Sequence, residues 1–137
     1  MWLCTQLGFF SIVRKDADTF HIRARCREDL YQLANAAGTG IPIASYAGSD
    51  YPWRILCPAT DLLQFMSALT TSIDYGNFKS AIAGSPAQRP KLSAYHDIHH
   101  RMLEWQLDQP PSCAPHSSST AHNSSATIVE AYTPQTS

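Results

Sequence analysis

The chain has 137 residues and a nearly balanced charge, with ten Lys and Arg against eleven Asp and Glu and a net charge of −1. That length fits a single domain, and the charge balance excludes a global field that would attract nucleic acid or membrane, so anion binding requires a local basic cluster. The first residues contain no basic region followed by a long apolar stretch. We therefore predict neither a signal peptide nor a membrane span, no membrane partner, and a cytoplasmic protein.

The composition changes near residue 108. From there to residue 137 the chain has no Lys or Arg and only Asp108 and Glu130 as acids, and Ser, Thr, Pro, Ala and His dominate. Such a segment cannot bury enough apolar surface to offset the entropy of ordering it. We predict one folded domain over residues 1–107 and a disordered tail over residues 108–137. Because a domain this small has a thin core, pairing into a homodimer would stabilise it.

The first predicted elements are strands. Residues 2–15 favour β-structure, either as one strand or as two short strands that meet at Gly8. A turn follows, and residues 19–27 then alternate strictly between apolar and polar side chains. This period of two predicts a strand with one buried face, paired with the first strand in an antiparallel hairpin.

The remaining chain alternates between helix and strand patterns. Apolar spacing and turn residues predict a helix over 28–37, strands over 41–47 and 53–57, a helix from about residue 58 to 73, and a last helix from about 87 to 107. The order ββαββαα predicts an α+β fold: a two-layer sandwich of an antiparallel four-stranded sheet with helices packed on one face.

Several short segments together resemble a family of short bacterial proteins of uncharacterised function. The segments are Met1-Trp2, Gly8-Phe9-Phe10-Ser11, residues 23–30 (RARCREDL), residues 73–79 (IDYGNFK) and residues 95–100 (YHDIHH). The resemblance covers about residues 1–105 and leaves out the tail. It implies a single stand-alone domain of bacterial or phage origin, and it implies no activity.

An arginine row is the first candidate binding site. Arg23, Arg25 and Arg27 lie on one face of the predicted strand in steps of two residues, about 7 Å apart, and His21 extends the row. Arg54 would join them if its strand is a neighbour. Guanidinium groups arranged in this way can hold phosphate or carboxylate in forked hydrogen bonds. The aromatic residues on nearby segments that could stack on a base are Tyr46, Tyr51 and Trp53.

The alternative for this row is a solvated sheet face. In that case the Arg stems cover apolar surface, and nearby acids balance the charge.

Three histidines near the carboxyl end are the second candidate. On a helix, His96 and His100 share a face and His99 lies close to it, a spacing at which histidines can bind zinc. The intervening Glu of a His-Glu-x-x-His motif is absent, and a third ligand would have to come from elsewhere, such as Asp74 or Cys57. The alternative is a polar helix surface or a packing edge. We therefore predict no cofactor and keep His96 and His100 only as candidate metal ligands.

The segment 74–79 is the third candidate. Asp74 and Lys79 could act as an acid and base pair, or the segment could be a helix stop and restart capped by Asp74 or Asn77. The chain has no Gly-x₄-Gly-Lys-Ser/Thr loop, no Gly-x-Gly-x-x-Gly and no Gly-x-Ser-x-Gly elbow. No complete catalytic set can be written, which favours a protein that is not an enzyme.

The cysteines are Cys4, Cys26, Cys57 and Cys113, and they form no Cys-x-x-Cys pair. The first three lie in apolar or strand-like runs. This placement is typical of small buried hydrophobic side chains in a reducing cytosol.

Three functions are therefore open. The first is a non-catalytic binding or regulatory domain that holds a nucleotide, a nucleic acid or an acidic protein surface on the arginine row. The second is a protein-interaction domain, homodimeric or docked to a protein partner. The third is an enzyme that uses His96 and His100 with a metal.

Overall fold

The computed structural model describes residues 1–109. The chain divides into a compact unit, Met1–Met102, and a second unit, Leu103–Ser137, of which the structure describes the end of a helix and a turn to Gln109. The predicted disordered tail lies outside the described residues except for Asp108 and Gln109.

The described residues form five strands and four α-helices. The strands are β1 (Trp2–Thr5), β2 (Gly8–Arg14), β3 (Phe20–Ala24), β4 (Ala44–Ser45) and β5 (Trp53–Cys57). The helices are α1 (Arg27–Ala37), α2 (Ala59–Thr71), α3 (Phe78–Gly84) and α4 (Leu92–Leu107), with a 3₁₀ turn at Arg89–Lys91 before α4.

The sheet is antiparallel, with the strand order β1-β2-β3-β5-β4. The α+β class is confirmed, but the predicted four-stranded sheet is wrong, because the first β segment forms two strands. The hydroxyl of Thr5 accepts hydrogen bonds from the backbone N–H groups of Leu7 and Gly8, at 3.2 and 3.1 Å. This turn reverses the chain and places Trp2 opposite Ser11. The predicted strand over residues 41–47 shortens to the two residues of β4.

One face of the sheet carries the hydrophobic core. Ile12, Ile22 and Ile55 stand side by side across β2, β3 and β5. The helices α1 and α2 cover this face with fully buried side chains that include Leu30 and Phe65. Full burial of each such side chain contributes about 1.5–3 kcal/mol, so this face supplies most of the stabilising apolar area.

The start of β2 packs directly against the first turn of α1. A Cβ atom added to Gly8 would lie 2.5 Å from the Cβ of Asp29, and the backbone φ of Gly8 is +156°. No side chain fits at that distance, so Gly8 allows the carboxylate of Asp29 to reach the backbone of the strand.

The helix ends follow local rules. Gly38 ends α1 in the left-handed conformation, at φ 64°. The side chain of Asn77 caps α3 by accepting the backbone N–H of Ser80 at 3.0 Å. The helix predicted from residue 87 begins as α4 at Leu92, after the 3₁₀ turn that contains Pro90. Pro58 holds the N-cap position of α2 without a side-chain hydrogen bond.

Candidate functional site

The arginine row does not lie on one strand. Only Arg23 belongs to β3, which ends at Ala24; Arg25 lies in a bend and Arg27 is the first residue of α1. Alternation in the sequence continues to Arg27, but the chain turns into the helix after Cys26, where acidic residues of the first turn suit the helix dipole. The predicted extent of the row is therefore corrected.

Arg54 joins the cluster, as expected if its strand is a neighbour. Arg23 on β3 is directly opposite Arg54 on β5, and Ser11 on β2 is opposite Arg23. The guanidinium of Arg23 donates to the hydroxyl of Ser11 at 2.6 Å, and that of Arg54 donates to the hydroxyl of Ser49 at 2.7 Å. These residues form a polar row on the sheet face that is opposite α1 and α2.

Each arginine of the cluster lies over an aromatic ring. The central carbons of the guanidinium groups of Arg23 and Arg25 are both 4.9 Å from the centroid of the Tyr51 ring. The corresponding distances are 4.2 Å for Arg54 over Tyr46, 4.9 Å for Arg27 over Tyr31, and 5.3 Å for Arg27 over Trp53. The rings expected to stack on a base are thus in contact with guanidinium groups, which they attract by cation–π interaction.

We call Arg23, Arg25, Arg27 and Arg54 with these rings the arginine–aromatic cluster. Within residues 1–109, none of the four arginines forms a salt bridge with a carboxylate. The acids that the alternative of a solvated face would place beside these arginines form no salt bridge with them in that part of the chain. Stacking on a ring leaves the N–H edges of a guanidinium available to an anion.

The cluster raises the local potential at His21. Burial, and then the charges of Arg54, Lys15 and Arg23, lower the pKa of His21 below its ordinary value. Its Nδ1 atom is buried without a hydrogen-bond partner, and so is Nε of Arg23. The face thus concentrates positive charge and incompletely paired polar atoms.

A cavity of about 350 Å³ lies beside the cluster and is open on one side. We call it the Arg25 cavity, and the residues that line it are Trp2, Phe9, Arg25, Cys26, Asp29, Tyr51, Lys91, Ala94, Tyr95 and Ile98. Two of the residues predicted to bind a ligand, Arg25 and Tyr51, belong to this lining. Trp53 and Arg54 belong to the arginine–aromatic cluster but do not line the cavity.

The carboxylate in this lining, Asp29, is buried and bound by other groups of the protein. Asp29 is 2% exposed and accepts hydrogen bonds from the backbone N–H of Phe9 and the side-chain amide of Gln88, both at 3.1 Å. It also forms a salt bridge with Lys91, whose amine donates to Gln88 as well, at 3.1 Å. Because Lys91 balances its charge, Asp29 does not make the cavity repel an anion.

Tyr95 forms part of the same wall. It is 6% exposed, and its hydroxyl is buried without a hydrogen-bond partner. Burial first, and then the charge of Asp29, raises the pKa of Tyr95. The hydroxyl therefore stays protonated.

Sequence reasoning missed Asp29, Gln88, Lys91 and Tyr95. In the sequence Asp29 is simply an acid in the first turn of a helix, and Lys91 lies 62 residues away along the chain. No local pattern could have connected these side chains.

A second cavity, of about 430 Å³, shares Tyr95 and Ile98 with the first, and its other lining residues are Cys4, Asn77, Phe78, Lys79 and His99. Asp74 does not line it, and its side chain forms no ion pair with Lys79. The predicted acid and base pair is therefore not assembled. The segment is a helix stop and restart, with Asn77 as the cap and Phe78 packed 5.4 Å from the ring of Tyr95.

The histidines on α4 do not gather further ligands. Among residues 1–109, no group of three His, Cys, Asp or Glu side chains is placed to hold a metal ion. The rings of His99 and His100 are perpendicular, with centroids 6.2 Å apart. Within the described residues, His96 and His100 therefore have no third ligand of the kind that a zinc site needs.

The cysteines depart from the sequence prediction. Cys57 is buried in the core, whereas Cys4 and Cys26 are exposed. Burial is the largest cause that raises the thiol pKa of Cys4 and of Cys57, so both stay protonated. Cys113 lies outside the described residues.

In the part of the chain that is described, no helix combines the length and the apolar character needed to cross a membrane. Comparisons with protein-family models, curated proteins and solved structures found no match to this chain.

Proposed function

We propose that this domain is a non-catalytic binding domain that holds a phosphate-bearing ligand at the arginine–aromatic cluster. The observation that carries the proposal is the group of Arg23, Arg25 and Arg54, which stack on tyrosine rings without a carboxylate partner among the described residues. Three cations gathered in this way create a local positive potential that attracts an anion.

Phosphate suits this geometry better than a single carboxylate. Arg23 and Arg25 both contact the ring of Tyr51, with each central guanidinium carbon 4.9 Å from its centroid, so two guanidinium groups lie near one ring. A phosphate group offers three strong acceptor oxygens and can bind more than one guanidinium at a time. Hydrogen bonds to charged groups are worth about 1.5–3 kcal/mol each, so one such contact changes affinity about tenfold to a hundredfold.

The cluster is also held in place before a ligand arrives. Ser11 and Ser49 each accept one guanidinium hydrogen bond, and Tyr51 is itself buried. A binding site whose side chains are already ordered loses less entropy when the ligand binds.

The test compares AMP with adenosine on the full chain by isothermal titration calorimetry. We expect AMP to bind more tightly than adenosine, because only AMP carries the phosphate. Arg25→Gln should weaken AMP binding about tenfold or more and leave adenosine unchanged. Arg25 is exposed, so this change should not unfold the protein.

Arg14→Gln is the matched control. The central guanidinium carbon of Arg14 is also near an aromatic ring, 5.9 Å from the centroid of Phe20. Arg14 lies at the far end of β2, however, about 13 Å along the strand from Phe10, which pairs with Ala24 at the end of β3 near Arg25. Equal loss of AMP binding in both variants would mean a diffuse charge effect. Equal binding of AMP and adenosine to the unmodified protein would refute the proposal.

A further inference from the structure

The Arg25 cavity has a wall suited to a flat, apolar ring. Trp2, Phe9, Tyr51, Ala94 and Ile98 contribute aromatic or aliphatic surface to it. Its volume of about 350 Å³ is at the lower end of the range for small-molecule sites, which is about 300–1,000 Å³. The cavity is therefore large enough for one compact ring system.

Trp2 is placed where such a ring would stack. Its side chain is 71% exposed although it lines the cavity, and it contacts Phe9 edge-on with ring centroids 6.1 Å apart. An indole that gains so little burial contributes little to the core. Exposed aromatic faces of this kind bind nucleobases, since every base has a π-face.

Arg25 joins the ring-binding wall to the phosphate-binding cluster. It lines the cavity and stacks on Tyr51, which lines the cavity as well. Lys91 adds a second cation to the lining, and Asp29 already balances that charge. A ligand held here would place its ring in the cavity and its negative charge against Arg25.

We infer that the ligand is a single nucleotide, with its base in the Arg25 cavity against Trp2 and its phosphate on Arg25. This inference rests on the proposed phosphate-binding function and specifies the remainder of the ligand. Duplex nucleic acid does not suit this site, because its paired bases are not available to enter a cavity. The near-neutral charge of the chain also provides no broad positive potential for a duplex.

The experiment compares AMP and UMP with ribose 5-phosphate, which has the phosphate but no base, by calorimetry on the full chain. Stacking of one base is worth about 1–3 kcal/mol, so each nucleotide should bind about 5- to 100-fold more tightly than ribose 5-phosphate. Trp2→Ala should reduce nucleotide affinity to nearly that of ribose 5-phosphate, and Trp2→Phe should retain part of the difference. Binding should also quench tryptophan fluorescence, and Trp2→Ala should lose much of that quenching.

Leu63→Ala is the matched control, because Leu63 is 70% exposed but lies on α2, beyond the opposite face of the sheet. It should leave both affinities unchanged. Equal binding of the nucleotides and ribose 5-phosphate, unaffected by Trp2→Ala, would overturn the single-nucleotide site and leave phosphate binding intact. Binding of a single-stranded oligonucleotide without binding of AMP or UMP would also overturn it. No binding of any phosphate compound would overturn both proposals.

Discussion

The two faces of the sheet treat neighbouring residues of the same strand in opposite ways. On β3, Ile22 is fully buried under α1 and α2, whereas Arg23 next to it lies on the other face and stacks on Tyr51. The covered face gains free energy from apolar burial. The polar face carries Arg23 and Arg54, which have no carboxylate partner within residues 1–109, together with buried polar atoms of His21 and Arg23 that lack hydrogen bonds.

This contrast separates the residues that hold the fold together from those that are available for binding. Side chains under the helices stabilise the protein whether or not a ligand exists. The arginine–aromatic cluster concentrates like charge, which a fold alone does not require. The predictions below test how complete that separation is.

The largest expected effect is on the covered face. Ile22→Ala should lower the free energy of unfolding by about 4 kcal/mol, because it removes a fully buried side chain and leaves a cavity. Chemical denaturation measures the change. The remaining folded protein should bind AMP with unchanged affinity, and a loss of less than about 1 kcal/mol would contradict the assignment of this face as the core.

Asp29→Ala should lower the free energy of unfolding by about 3 kcal/mol. Asp29 belongs to α1, which covers the core, and it also lines the Arg25 cavity. The change removes a buried salt bridge and leaves the side-chain amide of Gln88 and the backbone N–H of Phe9 without that acceptor. Lys91→Met and the double variant complete a double-mutant cycle. Strictly additive losses would show that Asp29 and Lys91 do not interact.

Arg23→Met should cost only about 1 kcal/mol of stability, since it loses one hydrogen bond to Ser11 and one cation–π contact. Its affinity for AMP should nevertheless fall. Ile22→Ala and Arg23→Met thus compare adjacent residues: the first should mainly lower stability, and the second should mainly lower the affinity for AMP. Loss of more than about 2 kcal/mol in Arg23→Met would show that the polar face also holds the fold together.

The smallest effect concerns pH. The folded protein lowers the pKa of His21 below 6.5, so the unfolded chain takes up this proton at higher pH than the folded one. Stability should therefore decline as the pH falls through and below 6.5. Denaturation at about pH 7.5 and about pH 5.5 should show a smaller decline in His21→Gln. An identical decline in both proteins would exclude a contribution from His21.

Local patterns predicted much of the secondary structure. The range 53–57 matches β5, and the helix predicted over 28–37 matches α1 to within one residue. The missed features depend on contacts between distant segments. The sequence left residues 2–15 open between one strand and two, and the pairing of β1 with β2 decides for two. The end of β3 at Ala24 was missed, because α1 begins at Arg27, where alternation alone predicts a continued strand.

The sequence by itself determined that there is one strand with alternating faces, that arginines gather near it, and that the fold is α+β, because side-chain periodicity is a local property. Only the tertiary structure decided that Arg54 lies opposite Arg23, that Arg23 and Arg25 both contact Tyr51, and that Lys91 meets Asp29. These contacts join residues far apart in the chain. Register and packing bring them together, and both are set by the whole fold.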